Sequence, residues 1–230
     1  MSTESLARPD DPGEGNTSRQ IVFLMALFST LLGTLYLTGL AGKLIVDGTV
    51  HSASSQFIQM LSAIIAILLD VALLILFVAL RRQISARKAV FADLAVVFMA
   101  LVCATSSINW FVQLTVVPDI LQSGDAGRLA LLDVHNESSL MYASEHLGWG
   151  LFYGLATLFI AAALDGGRLE SWIRWLFVAG GTLSILHLLG IMVSNQAVAD
   201  LGYPAWGLLL PITTALLAVR TRRNKPTIRL

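Results

Sequence analysis

Charge is what this sequence has least of. Asp, Glu, Lys and Arg make up 13% of its 230 residues, against about a quarter in a soluble globular chain. The charges that exist sit between long apolar runs, and hydrophobic residues reach 56%. A soluble fold of this size needs a wetted surface and has no use for so many unbroken apolar stretches. Cysteine is nearly missing as well. Cys103 stands alone within an apolar run, which excludes an intrachain disulfide and suits a small buried hydrophobe. The net charge is zero and no basic stripe lies outside the termini and short loops, which argues against a nucleic-acid partner. The usual signatures of chemistry are also absent. No HExxH or CxxC pattern supports zinc, no phosphate-cradling glycine loop is present, and no G-x-S-x-G marks a nucleophile. Low-complexity tracts and an obvious internal repeat are lacking too.

What is present is a set of six apolar runs, at 21–46, 57–80, 90–117, 142–164, 172–193 and 198–219. About 20 such residues cross a bilayer as a helix. Lipid offers backbone groups no partner outside their own segment, so the expected fold is all-α, a polytopic membrane protein with six transmembrane helices. Residues 1–20 are polar, rich in Pro, Gly and acids, and read as a disordered tail. The run that follows begins too late and is too long for a cleaved signal sequence, so it counts as a span. Pro118 is expected to end the third span and Pro211 to kink the sixth.

Thirteen of the 15 Lys and Arg residues fall on one side of this arrangement, including Arg81, Lys88, Arg168 and the basic tail at 220–230. Only Lys43 and Arg128 fall on the other. The positive-inside rule then places both termini in the cytoplasm. Asp93 lies near that side, within reach of Arg87, Lys88 or interfacial water. The five tryptophans fall near span ends and read as interfacial anchors. The long outer connection contains RLALLDV, an apolar patch suited to lie along the membrane surface. It also carries Asn136, Glu137 and Ser138, a match to the glycosylation acceptor pattern that is too short to be specific.

At 100° per residue each span has one small or polar stripe. Gln59, Ala63, Ala66 and Asp70 share one on span two; Cys103, Ser106, Asn109 and Gln113 share one on span three. Tyr36, Gly39 and Lys43 align on span one, His146, Gly150, Tyr153 and Thr157 on span four, Gly180, Ser184 and His187 on span five, and Tyr203, Gly207 and Thr214 on span six. Small residues permit close backbone approach, and Gly150 and Gly154 fit that packing role. Ionisable residues at membrane depth face the bundle interior because lipid penalises charge. Asp70 falls near the midplane, as either a structural hydrogen-bonder or a proton or ion site. Lys43, Gln59, Asn109, Gln113, Glu145, His146 and His187 fall in the outer half, where converging stripes would line an outward-facing polar cavity. Lys43 is in a position to pair with Glu145.

The stretch from Met141 to Arg220, with its GWG and GGRLESWIRW segments, resembles small bacterial integral membrane proteins grouped only as a domain of unknown function. The resemblance implies a six-helix bundle of the bacterial inner membrane and brings no activity with it. The function expected from the residues is binding of a small solute or ion in the cavity, for transport or sensing, among membrane lipids and with self-association left open. Two alternatives stand beside it. One is a membrane enzyme or haem protein built on Glu145, His146 and His187, and the other is an accessory subunit whose stripes only pack.

Overall fold

The computed structural model describes residues 12–46 and 53–223, with side chains described over 16–38 and 57–223. Among them there is no strand. Six helices are long and apolar enough to cross a membrane: Asn16–Thr38, Phe57–Arg81, Ala86–Ser123, Leu140–Ala163, Arg168–Met192 and Gln196–Arg223. Each packs on the next in sequence, and the sixth closes on the first, so the spans form a ring.

The first span belongs to helix α1 (Pro12–Val46), so residues 12–20 are helical and not part of a disordered tail. Proline is tolerated in a first helical turn, where its missing N–H has no partner to lose. One turn on, Ser18 is buried and donates to the Ala79 carbonyl at 3.0 Å, which ties this turn to the second span, α2 (Ala53–Arg81). Helix α3 (Ala89–Thr115) stops before Pro118 as expected, but α4 (Val117–Ser123) resumes at once with the proline in its first turn. Gly124, at φ 69°, then reverses the chain into α5 (Ala126–Leu132), which covers the RLALL part of the apolar patch and buries no residue.

Spans four and six each contain a departure that their sequences do not announce. In span four, α6 (Leu140–His146) passes into a π-helical turn, Leu147–Phe152, before α7 (Tyr153–Ala163). After α8 (Arg168–Met192) and a short α9 (Gln196–Ala199), span six does the same at Pro204–Leu209 before α10 (Leu210–Arg223). The wide turn is closed by five-residue bonds, from the Tyr153 N–H to the Gly148 carbonyl and from the Leu210 N–H to the Ala205 carbonyl. In the sixth span it lies immediately ahead of Pro211, whose ring would clash with the carbonyl four residues back in α geometry. The expected kink is thus taken up one turn earlier as a widened turn.

The end of the ring that carries the arginines is filled. Leu73, Leu76, Phe77, Leu80, Ile173 and Leu217 are fully buried there, and Phe77 meets Phe177 across the ring edge to face at 6.1 Å. Ion pairs tie its rim. Arg220 meets Glu170 at 3.1 Å, Lys88 meets Asp165 at 2.6 Å, and Arg81 grips Asp93 with two nitrogens. Asp93 therefore takes Arg81, not Arg87 or Lys88, because the α2–α3 turn brings Arg81 alongside it. Arg220 belongs to a helix and an ion pair, and the described chain ends at Arg223. The opposite end of the ring is open.

Candidate functional site

The open end holds a cavity of about 380 Å³, lined by residues of all six spans and of the outer connection. Its geometry starts from glycine contacts between spans four and five. A Cβ on Gly181 would stand 2.7 Å from the Gly154 carbonyl, and one on Gly154 would stand 3.0 Å from the Gly181 carbonyl. With no side chain at either position the backbones meet, as small-residue seams allow in lipid. That approach brings His146, one turn above Gly150, against His187 on the facing helix. Two further glycines complete the seat. Gly190 lets the α9 turn settle so closely that a Cβ there would stand 2.3 Å from the Ala199 nitrogen, and Gly202 leaves the room that the His187 ring fills.

The two imidazoles form a directed chain. His187 Nδ1 bonds the Ala199 carbonyl, which can only accept, so that nitrogen carries a hydrogen. In the neutral ring Nε2 then accepts, and His146 Nδ1 donates to it at 2.8 Å. The remaining nitrogen, Nε2 of His146, is left as an acceptor on a ring that lines the cavity. Tyr142 packs obliquely against that ring with centroids 4.0 Å apart, and Trp206 stands edge-on to His187 at 4.6 Å.

Glu145 is the second centre. Asn109 Nδ2 donates to it at 2.7 Å, Trp110 Nε1 at 3.0 Å and Ser106 Oγ at 3.3 Å. All three donors are neutral side chains of span three, which suits a carboxylate held as an acceptor. Trp149 Nε1 in turn donates to Ser106 Oγ at 3.2 Å, so the hydroxyl links a second indole to the acid that Trp110 bonds directly. Beneath the cavity floor, formed in part by Ala66 and Leu69, Asp70 is fully buried. Neither of its carboxyl oxygens closes a hydrogen bond of normal geometry, although the hydroxyls of Ser106 and Ser107 lie beside it. Asn109 Oδ1 is likewise buried without a partner.

No protein-family model, curated protein or solved structure matches this chain. The site must be read from its own residues.

Of the residues singled out from the sequence, Glu145, His146 and His187 line the cavity, and Asn109 supports Glu145 from behind. Asp70 lies below the floor and not on the wall. Gln113 does a different job from the one expected. Its side chain donates to the Leu132 carbonyl at 2.7 Å and accepts from the Val134 N–H, pinning the outer connection so that Val134, His135 and Glu137 fold in over the cavity. Gln59 is half-buried and outside the lining. Lys43 lies on α1, but its side chain falls outside the described residues, so the expected pairing with Glu145 does too.

The tryptophans divide. Trp172 and Trp175 are exposed at the basic end, as membrane anchors would be. Trp110 and Trp149 are buried, and Trp206 joins them in the cavity wall. Each of the three directs its indole N–H into the protein, the last to Ser184 at 2.9 Å. They are not interfacial anchors. Spacing held the signal: Trp149 follows His146 by three residues, Trp206 follows Tyr203 by three, and Trp110 follows Ser106 by four.

The histidine pair also tests the haem alternative. Two axial imidazoles on one iron place their nitrogens about 4 Å apart, taking each metal–nitrogen bond near 2.0 Å. Here the two nitrogens are hydrogen-bonded at 2.8 Å, with no gap for a macrocycle. The residues do not fit a haem held between them. Among the described residues no group of three His, Cys, Asp or Glu side chains is placed to hold a metal ion.

Proposed function

We propose that this multi-pass membrane protein binds a small solute in the cavity at the open end of its six-helix ring, for transport or sensing. The observation that carries the reading is the convergence of all six spans on one cavity, with a carboxylate and an imidazole chain in its wall. A purely structural seam would close over such groups; here they face free volume. The split of basic residues supports an outward-facing mouth, since the cavity lies at the end with few of them. The same split, with the bacterial resemblance of the second half, favours the inner membrane as its location. Asp70 is the candidate proton-linked group. It is a fully buried acid whose oxygens close no hydrogen bond of normal geometry, and beside it lies the Ser106 hydroxyl that donates to Glu145. The widened turns flanking the cavity on spans four and six are the candidate points of flexure.

The test is a thermal-shift panel on the purified full-length protein with small cationic, anionic and neutral solutes. At least one class should raise the midpoint, and the rise should vanish in Glu145→Gln and His187→Ala. A wild-type protein indifferent to every class sinks the reading. Membrane sidedness is checked separately, by labelling a cysteine at Tyr203 in a Cys103→Ser background with an impermeant thiol reagent from outside the cell.

A second reading, a membrane enzyme, draws on the imidazole chain, in which a base is oriented by a further group. It expects His146→Ala to remove turnover of a cavity-bound solute while leaving its binding intact.

A further inference from the structure

The cavity is unusual in what its walls withhold. Among the described residues no lysine or arginine lines it, whereas Glu145 stands within and Glu137 and Asp200 stand at its exposed rim. All three indole N–H groups are committed to protein acceptors: Trp110 to Glu145, Trp149 to Ser106 and Trp206 to Ser184. What these rings can offer an occupant is therefore carbon, as faces and edges. Because their N–H groups are anchored, the rings are fixed before anything binds, so little ordering is required on binding. The imidazoles of His146 and His187 have their Nδ1–H groups engaged and leave one acceptor nitrogen, on His146. The phenols of Tyr36, Tyr142 and Tyr203 accept as readily as they donate.

Taken together, the described walls supply π surface and acceptors, with no lysine or arginine among them. Resting on the solute-binding reading above, we infer that the occupant is a small organic cation, an ammonium or quaternary ammonium bearing apolar substituents. It sits against the indole rings, with Glu145 as its counter-charge. A cation within about 6 Å of a ring centroid is attracted to the aromatic face, most strongly to tryptophan, and more so where water is excluded. An anion meets three carboxylates and, among the described residues, no lysine or arginine to offset them. A neutral body of the same shape fills the aromatic space but leaves the Glu145 charge without a counter-ion. The volume of about 380 Å³ lies near the lower end of small-molecule sites, which run from roughly 300 to 1,000 Å³. It fits a compact ammonium compound and is too small for a lipid.

Indole fluorescence of the full-length protein in lipid nanodiscs reads the wall directly. Choline and tetraethylammonium are titrated beside the neutral alcohol that has carbon in place of choline's quaternary nitrogen, and beside tert-butylacetate as an anion of similar shape. At least one cation should bind saturably, about tenfold or more tighter than the neutral alcohol, and tert-butylacetate should not bind. Glu145→Gln should erase that preference while sparing the alcohol, and Trp206→Leu should weaken both cations. Trp175→Phe, at the far end, should change neither. If Glu145→Gln does not fold, the double rim variant Glu137→Gln, Asp200→Asn takes its place, with a loss of about threefold at low salt. Equal binding of the alcohol or the anion overturns the cation assignment. So does a protein that ignores both cations while another class in the thermal-shift panel stabilises it; the solute-binding reading then survives. A protein that responds to nothing overturns both.

Discussion

The two ends of the ring are built from the same six helices by opposite rules. At the basic end, leucine and phenylalanine fill the centre, and charge is confined to ion pairs on the rim. At the open end the centre is a cavity, and the polar groups point inward, bonded to one another across spans three, four and five. Lipid contact cannot account for the difference, since both ends present aliphatic side chains outward. The basic end provides rigidity, and the open end draws on it to hold a set of groups that would not be stable in isolation. Buried polar networks of this kind tolerate little partial loss, because each member left without a partner is costly.

The comparison makes graded demands. The largest effect should come from the seam that carries both ends. Gly181→Val places branched carbon against the Gly154 carbonyl and Thr157, and overpacking of a tight contact should cost about 3 kcal/mol. Thermal unfolding in detergent should show it, together with loss of the near-ultraviolet circular dichroism of the aromatic wall. Next is Ser106→Ala, which strands the Trp149 N–H and removes a donor from Glu145. A cost of about 2 kcal/mol is expected for the unsatisfied pair, with a red shift in tryptophan emission.

Asp70→Leu has the opposite sign. Replacing a buried carboxyl that lacks a partner with an apolar group of similar size should stabilise the protein by about 1 kcal/mol. It should also remove any proton-coupled response to a bound solute. A stabilised variant that keeps such a response would take Asp70 out of the function altogether. At the basic end, Arg220→Ala should cost about 1 kcal/mol through its largely shielded pair with Glu170, while solute binding stays unchanged. The smallest effect belongs to Trp172→Phe. Its ring is exposed at the far end, so stability should move by less than about 0.5 kcal/mol, and neither cation titration should change. A large response to either basic-end variant in the binding assay would mean that the two ends are not the separate regions described here.

The spans could be read from the sequence because apolar length is a property of each segment alone. The inner faces could be read almost as well. Ala63, Ala66 and Asp70 share a buried stripe on span two, as do Ser106 and Asn109 on span three, since helical periodicity carries from sequence to space without knowledge of partners. What failed depended on partners. Trp110, Trp149 and Trp206 sit at the depth of an interfacial belt, and depth alone does not say whether a ring faces lipid or a neighbour. Gln113 looked like a cavity group, yet its partner is backbone near residue 133, on a connection whose fold the apolar pattern does not encode. Gln59 shares the stripe of Asp70 but lies outside the cavity lining. The widened turns were invisible because each answers to crowding around glycine or proline in three dimensions, not to composition.

Those two turns have a consequence for how the protein tolerates change. A π-helical turn is an α-helix with one residue added, so the chain beyond it is rotated by about 100° from where an uninterrupted helix would place it. In span four the turn at Leu147–Phe152 lies between His146 and Thr157. In span six the turn at Pro204–Leu209 lies between Tyr203 and Thr214. Each helix is thus indexed twice, once for the seam at the basic end and once for the cavity. Removing a single residue from the Leu147–Phe152 turn would leave Thr157 and Ile160 in register with their neighbours. It would also swing His146 and Glu145 by more than a quarter of a revolution, off the wall they share.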